Sequence, residues 1–73
     1  MSLKHSERYK QIGIKISKYR NQMGLTQEDL ANAVGISYSY ITQIEAPNVT
    51  KKMSLEVLFD IADTLKVDIK DLL

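Results

Sequence analysis

The chain contains no cysteine or tryptophan, and only one proline and one histidine among its 73 residues. Without cysteine, a disulfide framework and a thiolate metal site are excluded, and a single histidine is too few for a histidine-based metal cluster. No apolar run approaches the ~20 residues of a membrane-spanning helix, and the N-terminus lacks the apolar stretch of a signal peptide. We therefore expect a cytoplasmic protein with no cofactor and no membrane partner.

What remains is the composition of one small globular domain. Hydrophobic residues make up 44% and charged residues 26% of the chain, which is an ordinary balance for a folded protein. We expect residues 8–73 to form the domain and residues 1–7 to be an N-terminal extension. Because a chain of this length buries only about 60% of its unfolded surface, a partner subunit would help to stabilise it.

The charge is unevenly distributed, although the net charge is only +1. Residues 1–25 carry six basic residues and one acid, whereas residues 26–50 carry three acids and no basic residue. A basic first segment is consistent with an electrostatic footprint for an anionic polymer, although the charge alone favours the solvated outer face of a helix.

The spacing of apolar residues is helical throughout. In the first segment apolar residues recur every three or four positions, which predicts a helix over about 7–23 that ends at Gly24. The residues of this apolar stripe are Tyr9, Ile12, Ile16, Tyr19 and Met23. Thr26 is an N-cap with Asp29 placed to complete a capping box. These signals predict a second helix over about 27–34, which ends at Gly35.

Three more helices follow. Ser37 caps a third helix over about 38–45, with Ile41 and Ile44 inward, and Pro47 places 46–53 in a loop. Ser54 caps a fourth helix over about 55–65, predicted to bury Leu55, Leu58, Phe59, Ala62 and Leu65. Asp68 and Asp71 form a second capping-box pattern that starts a short fifth helix. No segment has the alternation of a strand, so we predict an all-α, compact bundle of five short helices.

The second and third helices have the features of two helices that cross steeply through a tight turn. Leu30, Val34 and Ala31 face inward, and Gly35 makes the turn. Three segments resemble the helix-turn-helix of the phage repressor and Cro family: Thr26-Gln27-Glu28-Asp29-Leu30-Ala31, Val34-Gly35-Ile36-Ser37 and Ile41-Thr42-Gln43-Ile44-Glu45. Two later segments resemble the fourth helix of that family: Ser54-Leu55-Glu56 and Ile61-Ala62-Asp63-Thr64-Leu65. The resemblance covers about residues 8–73 and implies a lambda repressor-like DNA-binding domain, in which the second helix of the pair reads operator DNA.

The residues of the third helix fit this role independently. Its outward side is polar, uncharged and rich in hydrogen-bonding groups, which suits base edges in a major groove better than a merely solvated face would. The resemblance implies base contacts by Tyr38, Ser39, Thr42 and Gln43. For Tyr40 we keep two interpretations, a DNA contact and packing against the fourth helix or the loop.

Contacts to the DNA backbone are implied elsewhere. Gln27 matches the family position that contacts a phosphate and braces the reading helix, and Ser37 can cap its helix and contact a phosphate. Lys51 and Lys52 lie in the segment that runs beside the backbone in the family, with a solvated loop as the alternative. Arg20 and Glu45 match positions that form a buried ion pair, so both are assigned a structural role.

The segment after Glu45 departs from the family pattern. It has Ala46 in place of a frequent phosphate-contacting Asn, Pro47 in place of Gly, and two more residues than usual before Ser54. Contacts made by residues 46–53 are therefore less securely implied than those of the third helix.

The sequence thus predicts a regulator of transcription that binds double-stranded operator DNA as a homodimer on an inverted repeat. We expect this regulator to be a repressor. The predicted dimer contact is the fifth helix, with Ile69, Leu72 and Leu73, unless these residues close the core of the monomer. The alternative is an antitoxin-type module that binds a partner protein and autoregulates its operon. An enzyme is not expected, because the chain has no cysteine, its single histidine, His5, lies near the N-terminus, and no phosphate-binding glycine loop is present.

Overall fold

A computed structural model of the chain describes residues 4–47 and 51–73. In these ranges the chain forms five helices and no strand, which confirms the predicted fold class. The helices are α1 (Ser6–Gln22), α2 (Gln27–Val34), α3 (Tyr38–Glu45), α4 (Leu55–Leu65) and α5 (Ile69–Leu72). Residues 1–3 of the predicted extension and residues 48–50 of the predicted loop lie outside the described residues.

The helix starts are fixed by local hydrogen bonds. Thr26 Oγ1 accepts from the Asp29 N–H at 3.0 Å, and the Asp29 carboxylate accepts from the Thr26 N–H at 3.0 Å. This capping box holds the pKa of the Asp29 carboxyl below its ordinary value. Ser37 and Ser54 accept from the first turns of α3 and α4, and Asp68 with Asp71 completes a second box at α5. The predicted caps are therefore confirmed, while α1 begins and ends one residue earlier than predicted.

The core lies between all five helices. Its largest fully enclosed side chains are Ile16, Leu30, Ile41, Ile61 and Leu72. α2 packs against α3 and α4, while α1 crosses α3, α4 and α5. This arrangement places α3 on one side of the bundle, supported from behind by α1 and α2.

α1 approaches α3 closely at Gly13. The Gly13 backbone is buried, and a Cβ atom built there would overlap the main-chain carbonyl oxygen of Ile44. Only glycine therefore permits this separation between the two helices, and this role of Gly13 was not predicted from the sequence.

The predicted burial of Leu55 and Phe59 is wrong. Leu55 is 64% exposed and Phe59 is 47% exposed, whereas Ile61, which was not assigned to the core, is fully buried. The buried face of α4 is centred on Leu58, Ile61, Ala62 and Leu65. At 100° per residue, Phe59 points about 100° away from Leu58, and Leu55 lies in the first turn, at the edge of the core.

Candidate nucleic-acid interface

The candidate interface is the outward side of α3 with the segments beside it. Ser39 and Gln43 are exposed one turn apart, Thr42 is half-buried and Tyr38 is 55% exposed. Gln43 Nε2 donates to Ser39 Oγ at 3.3 Å, and Thr42 Oγ1 donates to the Ser39 carbonyl oxygen at 2.9 Å. The structure thus brings Ser39, Thr42 and Gln43 together as one polar surface.

This surface carries no charged side chain. In α3 the only ionisable group with a formal charge at neutral pH is Glu45, at the C-terminal end of the helix. The side chain of Glu45 is only 4% exposed, and its carboxylate is paired with Arg20. Its negative charge is therefore turned inward and compensated, so it does not oppose the approach of a polyanion.

The ion pair anchors the end of α3 to α1. Arg20 donates through Nε and through one terminal nitrogen to the two carboxylate oxygens of Glu45, both at 2.8 Å. The other terminal nitrogen donates to the Leu25 carbonyl oxygen at 2.7 Å. These hydrogen bonds to Glu45 raise the pKa of the guanidinium above its ordinary value. The resulting network fixes α1, the α1–α2 turn and α3 relative to one another.

Gln27 joins the same network from α2. Its side-chain nitrogen donates to Glu45 Oε1 at 3.1 Å, and the residue is half-buried. At the other end of α3, Ser37 Oγ accepts from the Tyr40 N–H at 3.0 Å. α3 is therefore held at both ends, by a cap at its start and by a network of charged and amide groups at its end.

Tyr40 and Lys51 lie beside the polar surface and contact each other. Tyr40 is half-buried and packs against the core, and the ammonium nitrogen of Lys51 is 4.8 Å from the centre of its ring. Lys51 is half-buried and Lys52 is exposed. Packing of Tyr40 was one of its two predicted roles, but the contact with Lys51 was not predicted, since no local spacing rule relates a helix residue to a residue in the following loop.

The basic character of the first segment is mostly retained at the surface of α1 and of the residues just before it. Lys4, Arg8 and Lys18 are exposed and Lys10 and Lys15 are half-buried, whereas Arg20 is buried.

In residues 4–47 and 51–73 no group of three or more potential metal-ligating side chains is present. No helix in these residues is long and apolar enough to cross a membrane.

Known proteins with the same arrangement of helices were found by comparison of sequence and structure. The helix-turn-helix family matches residues 16–72. Among solved structures, the restriction-modification controller protein C.AhdI from Aeromonas hydrophila superposes with a TM-score of 0.83 at 25% identity, covering 92% of this chain and 98% of that one. The clp gene regulator ClgR from Corynebacterium glutamicum gives a TM-score of 0.82 at 25% identity, with coverages of 89% and 67%.

A further solved structure contains nucleic acid. SinR, the master regulator for biofilm formation, known from Bacillus subtilis, has been solved in complex with DNA. It superposes with a TM-score of 0.77 at 31% identity, covering 84% of this chain and 95% of that one. A comparison with curated proteins by sequence gave no significant match.

Proposed function

The chain belongs to the Cro/C1-type helix-turn-helix family of DNA-binding transcriptional regulators, and we propose that it reads a specific operator with α3 in the major groove. The observation that carries this proposal is the uncharged, hydrogen-bonding surface of α3, which is exposed while both ends of the helix are fixed. The family is one of regulators rather than of enzymes.

In this proposal the base edges are read from the exposed side of α3. Gln43 is suited to bidentate contact with adenine, Ser39 and Thr42 are suited to several base edges, and Tyr38 reaches the DNA beside them. Rigid anchoring of α3 matters here because the specificity of a hydrogen bond to a base depends on the position of the donor and acceptor. The network around Glu45 supplies that rigidity.

Phosphates are contacted by the residues beside this surface. Gln27 and Ser37 lie at the N-terminal ends of α2 and α3, where free N–H groups and the helix dipole favour an anion. Lys51 and Lys52 supply positive charge from the segment before α4. These contacts set the affinity and register of the complex, whereas the α3 contacts set its sequence preference.

Gln43→Ala tests the base-reading role. We expect it to weaken binding to a duplex selected by the wild-type protein from a random library about 5- to 150-fold, equivalent to about 1–3 kcal/mol. Binding to random duplex should change little, because that binding is dominated by phosphates. Fluorescence anisotropy titrations with both duplexes measure the two effects.

The matched control is Gln11→Ala, which removes an exposed glutamine side chain from α1. It is expected to leave the preference for the selected duplex unchanged. An equal loss for Gln43→Ala on selected and random duplexes would assign Gln43 to general DNA affinity rather than to base reading.

We further propose that the protein acts as a homodimer on an inverted repeat and that occupancy of the operator represses transcription. A single reading helix covers about four or five base pairs, which is too little to select one site in a genome. Two copies would place their α3 helices about 34 Å apart on successive major grooves. The predicted contact through Leu72 is corrected, because Leu72 is fully buried and closes the core of the monomer.

For the dimer contact we propose a group of exposed apolar side chains on α4 and at the end of the chain. They are Leu55, Phe59 and Leu73, which are 64%, 47% and 62% exposed. Phe59→Glu is expected to shift the protein toward monomer in sedimentation equilibrium. It should also weaken binding to the full inverted repeat more than binding to one half-site. Unchanged self-association would place the dimer contact elsewhere.

A further inference from the structure

Lys51 lies over the face of an aromatic ring from a different part of the chain. Its ammonium nitrogen is 4.8 Å from the centre of the Tyr40 ring, within the ~6 Å range of a cation–π interaction. Tyr40 is anchored, because its N–H donates to Ser37 Oγ at 3.0 Å and its side chain packs on the core. The ring is therefore a fixed platform at the start of α3, and Lys51 is the side chain that it holds.

The ring orders the lysine without neutralising it. A free lysine side chain loses considerable rotamer entropy when it is confined by a bound phosphate, and confinement in advance reduces that cost. Arg20 shows the opposite case, since its charge is cancelled by the carboxylate of Glu45. The Arg20–Glu45 pair is the one salt bridge within residues 4–47 and 51–73, so Lys51 has no carboxylate partner among these residues. Its full positive charge is available to an external anion.

This contact also accounts for the presence of Tyr40 beside the polar surface of α3. Tyr38 is 55% exposed and projects into solvent, whereas Tyr40 is half-buried with the face of its ring occupied by Lys51. A side chain placed in this way is better suited to holding a neighbour than to reading a base itself. The two tyrosines of α3 therefore have different roles.

We propose that Tyr40 is a positioning residue that holds the Lys51 ammonium in place for a DNA phosphate, and does not contact a base. This inference rests on the proposed function and deepens it. It makes Lys51 a preordered phosphate contact, even though the sequence of residues 46–53 departs from the family pattern.

A double-mutant cycle on random-sequence duplex tests the proposal. Lys51→Gln is expected to reduce the slope of log affinity against log salt by about 0.9, the effect of one lost phosphate contact. Tyr40→Leu retains an apolar side chain but removes the ring, and is expected to weaken binding about two- to fivefold. In the Lys51→Gln background the same Tyr40→Leu change should cause no further loss of affinity. Tyr40→Phe, which keeps an aromatic ring, should bind with the affinity that Tyr40→Leu loses.

A second measurement follows the contact in the free protein. The side-chain methylene protons of Lys51 next to the ammonium should show an upfield ring-current shift by NMR in the wild type and in Tyr40→Phe, but not in Tyr40→Leu. Lys18→Gln is the matched control, because Lys18 lies 5.2 Å from the Tyr19 ring on α1 and its loss changes the net charge equally. We expect a much smaller change in salt slope for Lys18→Gln than for Lys51→Gln.

The outcomes separate this inference from the proposed function. Failure of the wild-type protein to bind any duplex would overturn the proposed function itself. Binding with equal Tyr40→Leu losses in both Lys51 backgrounds would overturn only the positioning role, as would a Tyr40→Leu loss confined to the selected duplex. Equal salt slopes for Lys18→Gln and Lys51→Gln would show that net charge, rather than a positioned contact, explains the effect.

Discussion

Gly13→Ala is expected to lower the free energy of unfolding by about 3 kcal/mol, the upper part of the range for overpacked interiors. In most helix interiors the same change is stabilising by roughly 0.5–1 kcal/mol, because it restricts the unfolded chain and improves helix propensity. Here the added methyl group would overlap the Ile44 carbonyl oxygen, and Glu45 Cα lies 3.7 Å from the same position. These are main-chain atoms, so the overlap is relieved only by moving α1 away from α3. The sign of the effect is thus opposite to that expected from helix propensity.

Urea unfolding followed by circular dichroism measures this loss. The matched control is Ile14→Ala, the next residue of the same helix, which is 56% exposed and should change stability by less than about 0.5 kcal/mol. A Gly13→Ala protein as stable as the wild type would show that α1 and α3 separate without cost, and the close approach at Gly13 would not be required.

The Gly13→Ala change should also reduce DNA affinity in the fraction that remains folded. The displaced segment of α3 includes Glu45, which accepts from both Arg20 and Gln27. Movement at this point alters the angle at which α3 is presented, although no surface side chain has changed. Stability and recognition are therefore coupled through the contact between α1 and α3.

How far the sequence could predict this molecule depends on the range of the interactions concerned. The starts of α2, α3, α4 and α5 depend on hydrogen bonds that span two or three residues, so Thr26, Ser37, Ser54 and Asp68 were sufficient to locate them. The polar side of α3 was equally predictable, since helical periodicity alone places Ser39 and Gln43 together.

The features that were missed depend on distant parts of the chain. Phe59 has the hydrophobicity of a core residue, and the packing of α4 against α1, α2 and α5 decides which side of the helix faces the core. The contact of Lys51 with Tyr40 and the burial of Gly13 against Ile44 likewise depend on tertiary placement. For Gly13 one signal was available, because a glycine inside a strongly helical pattern often has a packing reason.

Arg20→Met is expected to lower the free energy of unfolding by about 3–5 kcal/mol. Glu45 would keep a carboxylate that is 4% exposed, and within residues 4–47 and 51–73 its one remaining side-chain partner would be the Gln27 amide nitrogen. The Leu25 carbonyl oxygen would lose its hydrogen bond from Arg20 as well. For a chain of this size the total stability is roughly 4–11 kcal/mol, so the expected loss is a large fraction of it.

The decisive comparison is Arg20→Met combined with Glu45→Gln, measured by urea unfolding beside each single variant. Glutamine is nearly isosteric with glutamate and is neutral, so the double variant no longer buries an uncompensated charge and should recover much of the lost stability. If the double variant is as unstable as Arg20→Met alone, the loss comes from the packing and hydrogen bonds of Arg20 rather than from the isolated carboxylate. Recovery of stability without recovery of selective DNA binding is the expected pattern, because glutamine cannot replace the charged, bidentate contact that fixes the end of α3.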